Sequence, residues 1–186
     1  LPDSVLAPFD KISIVGISGH VGYKNYEGLF RVVHQMLKPD GLFLLHTIGN
    51  CEKTIVADAW IEKYIFRNSM VPAMSQLTDA AEGKFVIEDW ENYGHYYVPT
   101  LQAWHDRFNA NWDRIRALTT ARPFDERFRR MWNYYLMSCK AAFDVEQLHL
   151  WQLVMTRRNS GRGVYRRVMR LSAENPAAVP GEAPKK

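Results

Sequence analysis

His46 closes the apolar run GLFLLHTIGN (41–50), a place where an imidazole can hydrogen-bond a ligand or move a proton. Two readings stand side by side: a residue facing a pocket at the end of a sheet, or a loop histidine held by a structural hydrogen bond. The glycines of GISGHVG (16–22) raise phosphate chemistry, because a glycine-rich turn between strand and helix can cradle an anion. Their spacing is G-x-x-G-x-x-G, and the next strand ends in HTIG rather than in an acid, so a dinucleotide loop is not indicated. His20, His34, His46, His95, His105 and His149 form neither HExxH nor a tight pair, which argues against a metal site. Cys51 and Cys139, 88 positions apart, indicate no disulfide framework and no zinc knuckle, and fit a reducing compartment. Cys139 shares a helical stripe with Phe128, Trp132, Tyr135, Leu136 and Phe143, where a thiol is either inert filling or a reactive group.

These residues need elements to position them. KISIVGI (11–17) predicts a short strand, NYEGLFRVVHQML (25–37) a helix, KPDG (38–41) a turn, and GLFLLHTI (41–48) a strand buried on both faces. Strand, helix, strand in this span is a βαβ unit, right-handed by default. DAWIEKYIF (58–66) predicts a short helix capped by Asp58, and PAMSQLTDAAEG (72–83) another. A strand follows in KFVIEDWENYGHYY (84–97), then helices over 99–118 and 124–143 separated by Pro123, and a strand in QLHLWQLVMTRR (147–158). That order resembles the second half of a doubly wound sheet, in which ligands lie beyond the carboxyl ends of the strands.

At 186 residues, with 47% hydrophobic and 13% aromatic content, the chain supports one ordinary domain with a core. Residues 1–156 hold 16 Lys+Arg against 18 Asp+Glu, and residues 157–186 hold 8 against 2. The net charge of +4 is therefore a property of the tail, and the body gives no basis for a nucleic-acid partner. A basic, Pro/Ala/Gly-rich end is expected to be a solvated extension, with acidic lipid head groups as the functional alternative. No apolar run reaches the roughly 18–20 residues of a membrane span, and LPDSVLAPFD lacks the regions of a signal peptide.

Taken together, FDKISIVGISGHVGYKNYEGLF, LKPDGLFLLHTIG, WIEKYIF, FVIEDWENYGHYYVPTLQAWHDRF, RFRRMWNYYLMSCKAAF and LHLWQLV resemble successive blocks of the cyclopropane-fatty-acyl-phospholipid synthase family, which includes the mycolic acid methyltransferases. The resemblance covers residues 9–156. It implies an α/β fold, the C-terminal half of a class I (Rossmann-like) S-adenosylmethionine-dependent methyltransferase with a mixed sheet flanked by helices. Residues 1–157 would form a partial catalytic domain lacking its cofactor-binding N-terminal half, and residues 158–186 a basic, disordered tail. The implied reaction transfers a methylene from S-adenosylmethionine to the cis double bond of an unsaturated phospholipid in a membrane surface. The implied location is cytoplasmic, peripheral at the inner membrane, and homo-oligomers are left open.

In the family a bound bicarbonate acts as base, and the resemblance assigns His46, Ile48 and Tyr97 to its site. His46 and Ile48 match the HTI element, and Tyr97 matches the tyrosine in GHYYVPTLQAW. Cys139 matches the cysteine of the YYLxxC block, to which a catalytic role is given. No residue of this chain matches the cofactor-binding loop, so the isolated chain is expected to bind S-adenosylmethionine weakly or not at all. Gly19 stands where the family has glutamate, removing one anion ligand, and Arg67 stands where it has proline. The alternative is a truncated, inactive fragment serving as a lipid- or protein-binding module; a different small-molecule methyltransferase is a third, weaker reading.

Overall fold

The computed structural model describes residues 8–55, 58–120, 123–161 and 165; the expected tail thus falls almost wholly outside the described residues. A four-stranded mixed sheet has the order β1-β2-β4-β3. β1 (Phe9–Val15) runs parallel to β2 (Leu37–Gly49), whereas β4 (His149–Arg157) is antiparallel to both β2 and β3 (Phe85–Asn92). The parallel pair is joined through the short α1 (Ser18–Val21) and α2 (Tyr26–Met36), the helix that the apolar spacing predicts.

β2 extends four residues further back than the sequence pattern indicates. KPDG, expected as a turn, lies inside the strand, and Phe9 pairs with Leu37 across a register irregularity. Gly41 permits this, because a Cβ there would meet the Leu37 side chain at 2.6 Å and the Asp10 carbonyl at 3.0 Å.

Strand alternation sorts β2 onto two faces. Phe43 and Leu45 join Trp151, Leu153 and Met155 of β4 in a buried layer covered by Tyr26, Phe30 and Val33 of α2 and by Leu77, Ala80 and Ala81 of α4 (Met74–Ala81). Phe30 meets Phe43 and Phe85 edge-on at 5.7 and 6.0 Å. Burying each large side chain here stabilises the fold by about 1.5–3 kcal/mol. The other face presents Leu44, His46 and Ile48, which are only half-buried. The expectation of a strand buried on both faces therefore holds for one face, and the second is where a site can open.

At its carboxyl end, around Ile48 and Leu150, that second face packs against α5 (Tyr97–Ala110) and α7 (Glu126–Asp144). Tyr97 pairs with Phe143 while Phe108 pairs with Trp132 and Phe128, so the two helices run antiparallel. The single helix expected over 99–118 breaks at Asn111 into α5 and α6 (Trp112–Arg116). Pro99 lies in the first turn of α5, where its missing N–H costs no intrahelical bond. α3 (Ala59–Tyr64) begins at Asp58, whose carboxylate accepts from the Trp60 and Ile61 N–H groups at 3.0 and 2.9 Å, as its sequence signal predicts.

Candidate functional site

The site begins at the carboxyl end of β2. His46 pairs with Val15 of β1 and Gln152 of β4, and its carbonyl accepts from the Gly16 N–H at 2.9 Å. The Gln152 amide nitrogen lies 3.1 Å from His46 Nδ1. An amide nitrogen can only donate, so Nδ1 accepts and the ring proton resides on Nε2. Burial holds the His46 pKa below its ordinary value, which keeps the ring neutral near pH 7. The side chain is thus prepared as a neutral donor from Nε2.

Two residues on, Ile48 lies opposite Leu150. The Leu150 carbonyl is taken by the Tyr93 N–H at 2.6 Å on the β3 side, so Ile48 and Leu150 form a pair that exchanges no backbone bonds. The Ile48 N–H therefore turns to the β1 edge, past Val15, the last β1 residue paired with β2. Its side chain packs with Tyr97, Tyr93, Tyr135 and Cys139 around Leu101, Leu136, Phe143 and Leu150. The structure thereby gathers Ile48, Tyr97 and Cys139 in one apolar cluster, with His46 on the same sheet face.

Tyr97 opens α5, stacks on Phe143 at 4.8 Å and meets Trp104 in a T-shaped contact at 6.2 Å. Its hydroxyl makes no hydrogen bond among the described residues. Cys139 is half-buried on α7; burial, and after it the Asp58 carboxylate, push its pKa up to about 11. Tyr135 is likewise pushed up to about 12, first by burial. Cys139 thus stands in the wall of the cluster with burial favouring its thiol form.

The glycine-rich turn at 16–22 is occupied with backbone work. The Gly16 N–H is committed to His46, Gly16 and Gly22 take positive φ (71° and 78°), and Met70 N–H donates to the Gly19 carbonyl at 2.8 Å. Arg67 is exposed and lines an open groove with Ala59, Glu62, Lys63 and Asn68. Among the described residues no three His, Cys, Asp or Glu side chains come together as a metal ion requires.

Sequence reasoning missed Gln152, whose partnership with His46 depends on strand register across 106 residues. It missed a second chain as well. Asn92 Nδ2 donates to His149 Nδ1 at 2.9 Å, which leaves His149 Nε2 protonated and 3.1 Å from the sulfur of exposed Cys51. Asn92 Oδ1 also accepts from the Gly94 N–H at 3.0 Å, tying this chain to the turn that leads into Tyr97. No local motif announces either arrangement.

Comparison with known proteins follows the same outline. Residues 3–153 match the family model described as mycolic acid cyclopropane synthetase. The chain is 47% identical over 149 residues to the cyclopropane-fatty-acyl-phospholipid synthase of Escherichia coli K12, covering 80% of this chain and 38% of that protein. It is 43% identical over 94 residues to the Citrobacter freundii sequence of the same name, covering all of that sequence and 50% of this chain. Among solved structures, the cyclopropane synthase MmaA2 from Mycobacterium tuberculosis superposes with a TM-score of 0.71 at 20% identity, over 84% of this chain and 57% of that one. Mycolic acid cyclopropane synthase CmaA1 complexed with SAH and CTAB gives 0.69 at 23% identity, over 81% and 56%. These likenesses establish the methyltransferase fold.

Proposed function

The chain belongs to the mycolic acid cyclopropane synthetase family, and we propose that it forms the acyl-chain side of a cyclopropane-fatty-acyl-phospholipid synthase. The sulfonium methyl of S-adenosylmethionine would be transferred to one carbon of a cis double bond in a phospholipid acyl chain. The methyl–sulfur bond breaks, S-adenosylhomocysteine leaves, and positive charge develops on the other alkene carbon. Loss of a proton from the added methyl supplies the electron pair that closes the ring.

The observation that carries this reading is that His46 and Ile48 share one face at the end of β2 while Tyr97, at the start of α5, packs on the same cluster as Ile48. The Nε2–H of His46, fixed by Gln152, the backbone N–H of Ile48 and the hydroxyl of Tyr97 are all hydrogen-bond donors. Such a set fits a small oxyanion. A bicarbonate ion held there would supply the base that takes the methyl proton. His46 and Tyr97 would orient it, and the apolar cluster of Ile48, Leu101, Leu136 and Phe143 would exclude water from it. An acyl chain offers no polar atoms to spread a positive charge. The rings of Tyr93, Tyr97 and Tyr135 are suited to do so, at about 0.5–2 kcal/mol for each cation–π contact. Cys139 contributes bulk and closure to that wall, which accounts for an active-site position without nucleophilic chemistry.

Work at a membrane surface follows from a phospholipid substrate, and no helix among the described residues is long and apolar enough to cross a membrane. The chain spans 38% of the length of its E. coli relative, so the test uses a chimaera joining the N-terminal part of that relative to this chain. Incubated with S-adenosylmethionine and vesicles of unsaturated phospholipid, it should yield acyl chains heavier by one CH2 and lacking the double bond. A folded chimaera that binds S-adenosylmethionine and leaves the alkene unchanged would refute the proposal.

A further inference from the structure

A shallow groove of about 270 Å³ runs between α3 and α7, lined by Trp60, Tyr64, Arg127, Arg130, Met131 and Tyr134. Its aromatic residues form a contiguous set: Trp60 meets Tyr134 edge-on at 4.5 Å and lies 5.4 Å from Tyr64. Tyr64 and Tyr134 are exposed by 40% and 57%, and Lys63 Nζ lies 5.0 Å over the Tyr64 ring, so the rings form an exposed patch with a cation on it. Arg127 and Arg130 are exposed as well. The acids of the same helical turn are engaged elsewhere. Asp125 accepts from the Phe128 N–H at 2.8 Å, and Glu126 accepts from Trp112 Nε1 at 3.1 Å and lies 3.7 Å from Arg129. Among the described residues neither Arg127 nor Arg130 has a carboxylate partner. Lys63 and Arg67 add positive charge at an adjoining groove that Glu62 also lines.

Two uncommitted guanidinium groups beside amphipathic rings match an anionic lipid surface, where arginine pairs with phosphate and Trp and Tyr settle at head-group depth.

We propose that the α3/α7 groove seats the phosphodiester of a membrane phospholipid, with Arg127 and Arg130 holding the phosphate and Trp60, Tyr64 and Tyr134 lying at the interface. The inference rests on the lipid substrate proposed above and adds the place where its head group is held. The test is cosedimentation of the 186-residue chain with vesicles of equal parts phosphatidylglycerol and phosphatidylethanolamine. Arg127→Gln/Arg130→Gln should lower binding by about 30-fold, as expected for two cations at an anionic surface. The tail variant Arg166→Gln/Arg167→Gln, which removes the same charge, should lower it less than threefold. Equal losses in the two variants, or no loss in the first, would overturn the assignment. A second readout uses vesicles with brominated acyl chains: they should quench tryptophan emission in the wild type and much less in Trp60→Phe, and unchanged quenching would also overturn it. Neither assay involves the cofactor. Arginine-dependent binding by a chimaera that makes no product would refute the reaction alone, and arginine-independent binding by a productive one would refute the groove alone.

Discussion

The side-chain amide of Gln152 donates to Nδ1 of His46 across the β2–β4 pair, at 3.1 Å. This one bond decides which nitrogen of the imidazole faces the site with a proton.

Replacing the donor by an acceptor should therefore reverse the ring. In Gln152→Glu the carboxylate draws the proton to Nδ1 and raises the His46 pKa, leaving a lone pair or a carboxylate-bound cation in place of the neutral Nε2 donor. In the chimaera, turnover should fall by about 10-fold or more, within the range of a positioned acid–base group. Steady-state product formation checks this, with S-adenosylmethionine affinity expected to stay unchanged.

Burial lowers the pKa of both His46 and His34, the latter helped by Arg157 and Lys84. The unfolded chain then binds more protons than the folded one below about pH 6.5, so stability should decline as pH falls through that value toward the folded pKa values. Urea melts at successive pH values should show the midpoint dropping on the acid side, with a smaller drop in His46→Gln. A midpoint that rises on acidification would contradict the assignment.

Cys139 is held as a thiol by burial and Asp58, at about 11, while Cys51 is exposed beside His149. Iodoacetamide at pH 7.5 should label Cys51 well before Cys139 in the folded chain, by at least about 10-fold given the thiolate requirement. Peptide mass spectrometry distinguishes the two, and loss of the difference in urea would show that folding creates it.

Gly19 has room for a side chain: a Cβ there would touch only the Met70 carbonyl, at an ordinary 3.4 Å, and Gly19 is not among the positive-φ glycines. Gly19→Glu should therefore fold with a thermal midpoint close to the parent. If the carboxylate that the family carries at this position serves the proposed anion site, the variant chimaera should also turn over faster.

Much of the scaffold was legible because it rests on local rules. The apolar spacing of α2 and α7, the Asp58 cap of α3, and the apolar run that ends at His46 each carry their own signal. KPDG misled because turn chemistry was read without Leu37 and Asp10, the neighbours that make Gly41 a close-approach position within a strand. The break at Asn111 was hidden by an apolar period continuing through it, from Phe108 to Trp112 and Ile115. Gln152 and the Asn92–His149–Cys51 chain were invisible for a different reason: each joins segments distant in sequence, and register fixes them only once β4 lies between β2 and β3.

The central claim is that His46 and Tyr97 jointly hold the proton acceptor for ring closure. Its most direct test is the rate of cyclopropane formation by the chimaera carrying His46→Ala or Tyr97→Phe, measured at saturating S-adenosylmethionine with cofactor binding verified by titration. Each variant should lose about 10²-fold or more in turnover while still binding the cofactor; full turnover in both would contradict it.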